Sequence, residues 1–193
     1  MSPRQHFTGE TVLDAARRRI AFVLDAYGEH VVVSVSGGKD STVLAHLALV
    51  EAHRRGIRIG VHLLDEEVMY QSSVEQVRYL MDLFPENTRK LWVQVPFRLT
   101  NAASLTEGQL DCWAPGDHKL WMRTKEADAI KAPPWSPGQV TVRDKAKGFG
   151  FYDAIETFAR CFPGHAFLVG LRAAGESPNR SRAVPTHPIE IGG

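Results

Sequence analysis

Six consecutive residues, Ser36-Gly37-Gly38-Lys39-Asp40-Ser41, gather two glycines, two hydroxyls, a cation and a carboxylate directly after the apolar run Val31-Val32-Val33-Ser34-Val35. The chemistry suited to that set is the binding of phosphate. Adjacent glycines let the backbone turn sharply, so that successive N–H groups converge on an anion, and the positive end of a helix beginning there adds to the same field. Ser36 and Ser41 supply hydroxyl donors and Lys39 a neutralising charge. Asp40 is a candidate Mg²⁺ ligand, as is Asp65, because that ion takes hard oxygen ligands from carboxylates and nucleotide phosphates together.

Spacing excludes two familiar phosphate loops. A Walker A loop would need glycine where Val33 stands and a hydroxyl side chain where Asp40 stands. A dinucleotide fingerprint is ruled out as well, since no Gly-x-Gly-x-x-Gly follows any predicted strand. A second anion-binding segment is written after Gly170, where Arg172, Arg180 and Arg182 flank Ser177. Guanidinium groups are planar, permanently charged forks that match phosphate or sulfate oxygens. The run Asp65-Glu66-Glu67 reads either as solvated loop carboxylates or as a specific contact. Cys112 and Cys161 show no Cys-x-x-Cys spacing, so neither a zinc knuckle nor a redox pair is encoded. Cys161 falls on an apolar helix face, whereas Leu110-Asp111-Cys112-Trp113 is expected to be a loop.

Alternating strands and helices must hold these residues. Leu13, Ala16, Ile20, Val23, Leu24 and Tyr27 have helical spacing over 11–27 and lead into a strand from Val31. A helix follows the glycine loop through Val43, Leu44, Leu47, Ala48 and Val50, and Arg54-Arg55-Gly56 ends it. Residues 57–65 read as the second strand. Ser72-Ser73-Val74-Glu75-Gln76 has capping-box spacing for a helix whose face is Val74, Val77, Leu80, Met81 and Phe84, and 91–97 reads as the third strand. Periodicity fails over 101–150, which is expected to be an irregular insertion or lid containing at most a short helix at 119–126. Phe151, Ile155, Phe158, Ala159 and Phe162 then form a helix face, and 165–170 a last strand. This alternation predicts an α/β fold, a parallel twisted sheet with helices on both faces. In such sheets ligands bind beyond the carboxyl ends of the strands, where the loops after 36, 65, 97 and 170 should meet.

At 193 residues the chain suits a single domain with a full core, and its formal charge of +1 argues against bulk capture of nucleic acid or acidic membrane, so direct nucleic-acid binding is not expected. No basic-apolar leader or membrane-length apolar run is visible, and the expected location is the cytoplasm.

The loop 36–41 resembles the Ser-Gly-Gly-x-Asp-Ser loop of the N-type ATP pyrophosphatases, which attack the α-phosphate of ATP and release pyrophosphate. Gly170-Leu171-Arg172, Glu176-Ser177 and Arg180 are similar to a pattern of the phosphoadenosine phosphosulfate (PAPS) reductase family within that group. The resemblance implies a Rossmann-like, adenine nucleotide alpha hydrolase-like domain over 1–193, binding ATP or PAPS with Mg²⁺. Ser36 to Ser41, Asp65, Gly170 and Ser177 would contact the nucleotide, Leu63 and Leu64 would flank the adenine, and Lys39, Asp40, Arg172 and Arg180 would act at the phosphates. The family's C-terminal Glu-Cys-Gly-x-His nucleophile is absent from Ile189-Glu190-Ile191-Gly192-Gly193. Three functions follow: pyrophosphatase-type transfer to an acceptor the sequence does not name, sulfonucleotide reduction with a thiol from Cys112 or a partner, or a nucleotide-sensing regulator acting through another protein. Trp113, Trp121, Arg123, Trp135 and the 148–152 run resemble a prophage co-activator-like subgroup, whose members tend to be longer and often neighbour a ParB-like partner, making this chain a short form or a fragment.

Overall fold

A computed structural model describes residues 9–101 and 104–171. Four strands form a parallel sheet: β1 (Val31–Ser34), β2 (Ile59–Leu64), β3 (Thr88–Val93) and β6 (Ala166–Val169), in the order β3-β2-β1-β6. β1 and β2 are apolar because both their faces are covered, and every residue of β2 is buried. Register is continuous from Ile59–Thr88 to Leu64–Val93 between β2 and β3, and from Val31–Ala166 to Ser34–Val169 between β1 and β6.

Helices α1 (Val12–Tyr27), α2 (Lys39–Arg55) and α3 (Gln71–Asp82) bury Ile20, Leu24, Ala45, Leu49, Val74, Val77 and Leu80 in one core with Val31, Val33, Val61 and Leu63. The opposite core joins Val32, Leu64, Leu91 and Val93 to α4 (Phe151–Arg160), through Ala154 and Phe158, and to the hairpin of β4 (Phe97–Thr100) and β5 (Gln109–Cys112). From β1 the chain steps outward to β2 and β3, then returns to the other side of β1 as β6. The strand order therefore reverses between β1 and β6, and this is the point at which open α/β sheets leave a crevice for ligands.

Several boundaries depart from the sequence expectations. Thr11, expected inside the first helix, instead caps α1 by accepting from the N–H of Asp14, whereas Gly56 ends α2 in the left-handed region at φ 66°, as the Arg54-Arg55-Gly56 signal implies. The capping box at Ser72 does not form: α3 begins at Gln71 on Tyr70, and both serines lie inside its first turn. β3 starts at Thr88 and stops at Val93, so the predicted 91–97 strand is divided between β3 and β4. Its polar opening Thr88-Arg89-Lys90 hides the strand in an apolar-pattern reading. No helix forms over 119–126, because the backbone N–H groups of Met122 and Glu126 bond instead to Glu67 Oε1 at 3.1 Å and Gln94 Oε1 at 2.7 Å. Ile155 is left partly exposed, and Asp153, Ala154, Thr157 and Phe158 form the buried face of α4.

Candidate functional site

The strand-to-helix loop 36–41 is held from three directions. Gly37 adopts φ +72°, and a Cβ there would lie 2.6 Å from the carbonyl oxygen and 2.8 Å from the Cα of Ser73, so the loop lies directly on the first turn of α3. A Cβ on Gly170 would lie 3.0 Å from the carbonyl of Asp40 and 3.1 Å from Cα of Ser41, so the exit of β6 presses on the start of α2. Inside the loop, Ser41 Oγ accepts from the backbone N–H of Ser36 at 3.1 Å, donates to the Gly38 carbonyl at 3.0 Å and lies 3.1 Å from Ser36 Oγ. Ser41 is thus a staple that sets the loop's shape, not the outward donor its sequence position suggests. Gly38 is the N-cap of α2 and supplies no side-chain cap, so the helix's positive end opens on an exposed loop mouth. Lys39 Nζ is paired with Asp40 Oδ1 at 2.8 Å.

Of the remaining sequence-derived site residues, Gly170 stands against this loop, and Arg172, Ser177, Arg180 and Arg182 lie outside the described residues. Leu63 and Leu64 are buried in the two opposite cores, so their side chains are already committed to packing.

Asp65 is the largest correction. It is fully buried, and its carboxylate accepts four hydrogen bonds: from Trp92 Nε1 at 2.6 Å, Gln94 Nε2 at 2.8 Å, the N–H of Glu67 at 2.8 Å, and Arg123 Nη2. Four donors occupy the roughly four lone-pair positions of a carboxylate, leaving none for Mg²⁺ or a nucleotide. Glu67, also buried, accepts from the N–H groups of Trp113 and Met122. Trp113 Nε1 donates to the Asp65 carbonyl at 2.8 Å, and the thiol of Cys112 donates to the Glu66 carbonyl at 3.2 Å. The acidic run after β2 therefore fastens the irregular segment to the carboxyl ends of β2 and β3. The same segment follows the β3 edge, where the N–H of Ile130 donates to Trp92 O at 2.7 Å and its carbonyl accepts from Gln94 N at 3.0 Å. Glu67 and Trp113 are the non-glycine residues with positive φ among those described, at 60° and 53°, and one hydrogen bond joins them. Sequence reasoning missed Trp92 and Gln94, and it named Glu67 and Arg123 without joining them; the available signal was a carboxylate run at a strand end together with an arginine and tryptophans in an aperiodic segment.

Cys112 is a strand residue with a buried side chain, contrary to the expected loop. Burial, followed by the neighbouring carboxylates of Glu67 and Glu66, pushes its thiol up to about 12. A thiol so placed is a poor nucleophile at neutral pH. Among the described residues no cluster of three or more His, Cys, Asp or Glu side chains is arranged to hold a metal ion. Within the loop 36–41 Asp40 supplies the one carboxylate, which suits Mg²⁺ only if ligand phosphates supply most of the coordination.

One curated relative matches the chain. It is the uncharacterized protein YbdN of Escherichia coli strain K12, 32% identical over 178 residues, covering 90% of this chain and 41% of YbdN. The chain therefore spans well under half the length of that relative. No protein-family model and no solved structure matches it. No helix among the described residues is long and apolar enough to cross a membrane.

Proposed function

We propose that the chain is an adenine-nucleotide-binding protein of the PAPS reductase group with a Rossmann-like domain, and that it performs pyrophosphatase-type chemistry on ATP. One observation carries this reading: the loop 36–41 sits at the strand-order reversal, between the Gly37–Ser73 and Gly170–Asp40 close approaches, with the positive end of α2 opening on it. Those contacts favour a preformed anion cradle over a simple connecting turn, because a generic turn needs neither glycine to be so tightly enclosed. In this reading Ser36, Gly38 and Lys39 receive the β- and γ-phosphates, and Asp40 with those phosphates holds Mg²⁺. An acceptor oxygen attacks the α-phosphorus and pyrophosphate departs. Catalysis then rests on positioning and charge, with no protein nucleophile required. Burial of Cys112 counts against a reductase that uses that thiol.

Calorimetry with ATP, its non-hydrolysable analogue and PAPS, followed by product analysis, tests the proposal. ATP binding with release of AMP and pyrophosphate is the expected result. A folded protein that binds none of the three nucleotides refutes it, and tight binding without turnover converts the reading into a nucleotide sensor.

A further inference from the structure

The segment 113–126 is an irregular stretch built as rigidly as a core element. Buried Asp65 and Glu67 hold it, two left-handed non-glycine residues support it, and it stands at the carboxyl ends of β2 and β3, the side from which the loop 36–41 also leaves β1. Positive φ in non-glycine residues costs on the order of 1–3 kcal/mol each and persists where surrounding contacts over-determine it, commonly at ligand sites. On this platform Lys125 Nζ lies 5.4 Å above the Trp113 ring and 4.7 Å above that of Trp121. Lys125 has no hydrogen-bond or ion-pair partner among the described residues. The neighbouring carboxylates are already used: Asp65 by Arg123, Glu126 by Arg78 and Arg123. Burial and the nearby charge of Lys131 hold the Lys125 ammonium below its ordinary value, against the smaller opposing pull of the Glu67 and Asp65 carboxylates. Leu120 and Met122, the chain neighbours of Trp121, are 77% and 72% exposed, two large apolar side chains open to solvent.

We propose that this platform is the acceptor subsite of the nucleotide cleft, with Lys125, framed by Trp113 and Trp121, taking the anionic oxygen group of an acid whose apolar body rests on Leu120 and Met122. The proposal rests on reading the loop 36–41 as the nucleotide site. An acid held there as its anion attacks the α-phosphorus of ATP through oxygen. The bond from that phosphorus to the bridging oxygen breaks, and pyrophosphate leaves with the electron pair, so neither a redox partner nor a proton transfer is needed. The indole faces hold the ammonium in place without neutralising it, whereas a protein carboxylate would compete with the ligand.

Reductive methylation of the full chain, with peptide mapping of each lysine, tests the assignment using hexanoate and sulfate at matched ionic strength. Hexanoate is expected to slow labelling of Lys125 about fivefold, leave the exposed Lys119 and Lys145 unchanged, and protect more strongly when ATP is present. Trp121→Leu, with its urea midpoint measured to confirm folding, is expected to lose most of the protection. Equal labelling with and without hexanoate overturns the subsite, as does protection by sulfate alone. ATP binding without protection of Lys125 removes the acid site and leaves the nucleotide loop standing. Protection without ATP binding removes the nucleotide reading and keeps the acid site.

Discussion

Replacing Gly37 by Ala puts a methyl group where the chain has no room for one. The residue sits at φ +72°, where an L side chain costs roughly 1–2 kcal/mol. The new Cβ would also lie 2.6, 2.7 and 2.8 Å from the carbonyl oxygen, Cβ and Cα of Ser73. Ordinary carbon contacts are about 3.5–4.0 Å, so the loop and α3 must separate by about 1 Å. Ser73 has little freedom to yield, because the next residue, Val74, is fully buried. Overpacking of this kind costs about 1–3 kcal/mol, which gives a total of roughly 2–5 kcal/mol lost from stability. If the loop cradles phosphate, ATP affinity should fall at least about tenfold, equivalent to about 1.4 kcal/mol. Gly38→Ala is the control: its φ is −78° and the nearest atom to a new Cβ is Ser36 Oγ at 3.4 Å. As an N-cap change it should cost no more than about 1 kcal/mol of stability. Urea unfolding and ATP calorimetry on both variants measure the difference. A Gly37→Ala protein within about 0.5 kcal/mol of the parent, with unchanged ATP affinity, would refute the reasoning, since typical surface substitutions fall in that range.

Asp65→Asn should destabilise by about 3–5 kcal/mol, because it leaves the Arg123 guanidinium, only 15% exposed, with Glu126 at 3.7 Å as its remaining counter-charge and points an amide at existing donors; a urea midpoint close to the parent's would rule out that role. His62 is buried against Phe158, its Nε2 has no partner, and burial drives it down to about 3. Because its folded value lies below the unfolded one, stability is full above about pH 6.5 and falls at up to about 1.4 kcal/mol per unit as pH drops towards 3. Between pH 7.5 and 5 the parent should therefore lose about 2 kcal/mol more than His62→Gln, and parallel pH profiles would show the histidine is not buried neutral. The Cys112 thiol should resist a disulfide reagent in the native protein and react only on unfolding, with half-buried Cys161 reacting first; fast native labelling of both would contradict the packing.

Most of the scaffold was legible because local and tertiary preferences agree there. Val31 to Val33 are apolar in sequence and fully buried in the sheet centre, and Gly56 ends α2 by local bonds. Where the two disagree, local pattern misleads. Thr88-Arg89-Lys90 looks like a turn yet pairs with Ile59-Gly60-Val61, because backbone pairing at an outer strand does not require apolar side chains: Thr88 is buried while Lys90 stays exposed. Ser72 has the spacing of a cap, yet α3 begins at Gln71, where its first turn meets Gly37.

The loop 36–41 was legible because its chemistry is written in adjacent residues, whereas the platform was not because its bonds run between distant ones. Asp65 meets Trp92, Gln94 and Arg123, and Glu67 meets Trp113 and Met122, across separations of 27 to 58 residues that no periodicity encodes. A carboxylate beside a strand end reads as ligand-facing from sequence, because that edge is where ligands bind. Here it holds the fold together instead. Asp65 and Glu67 use their charge to fix the segment carrying Lys125, and the β2–α3 connection that holds them leads straight to Ser73, on which the loop 36–41 rests. One connection thus supports both halves of the proposed cleft. Loosening it by Asp65→Asn should weaken ATP binding at the loop and expose Lys125 to labelling together, whereas Lys125→Met should leave ATP affinity unchanged.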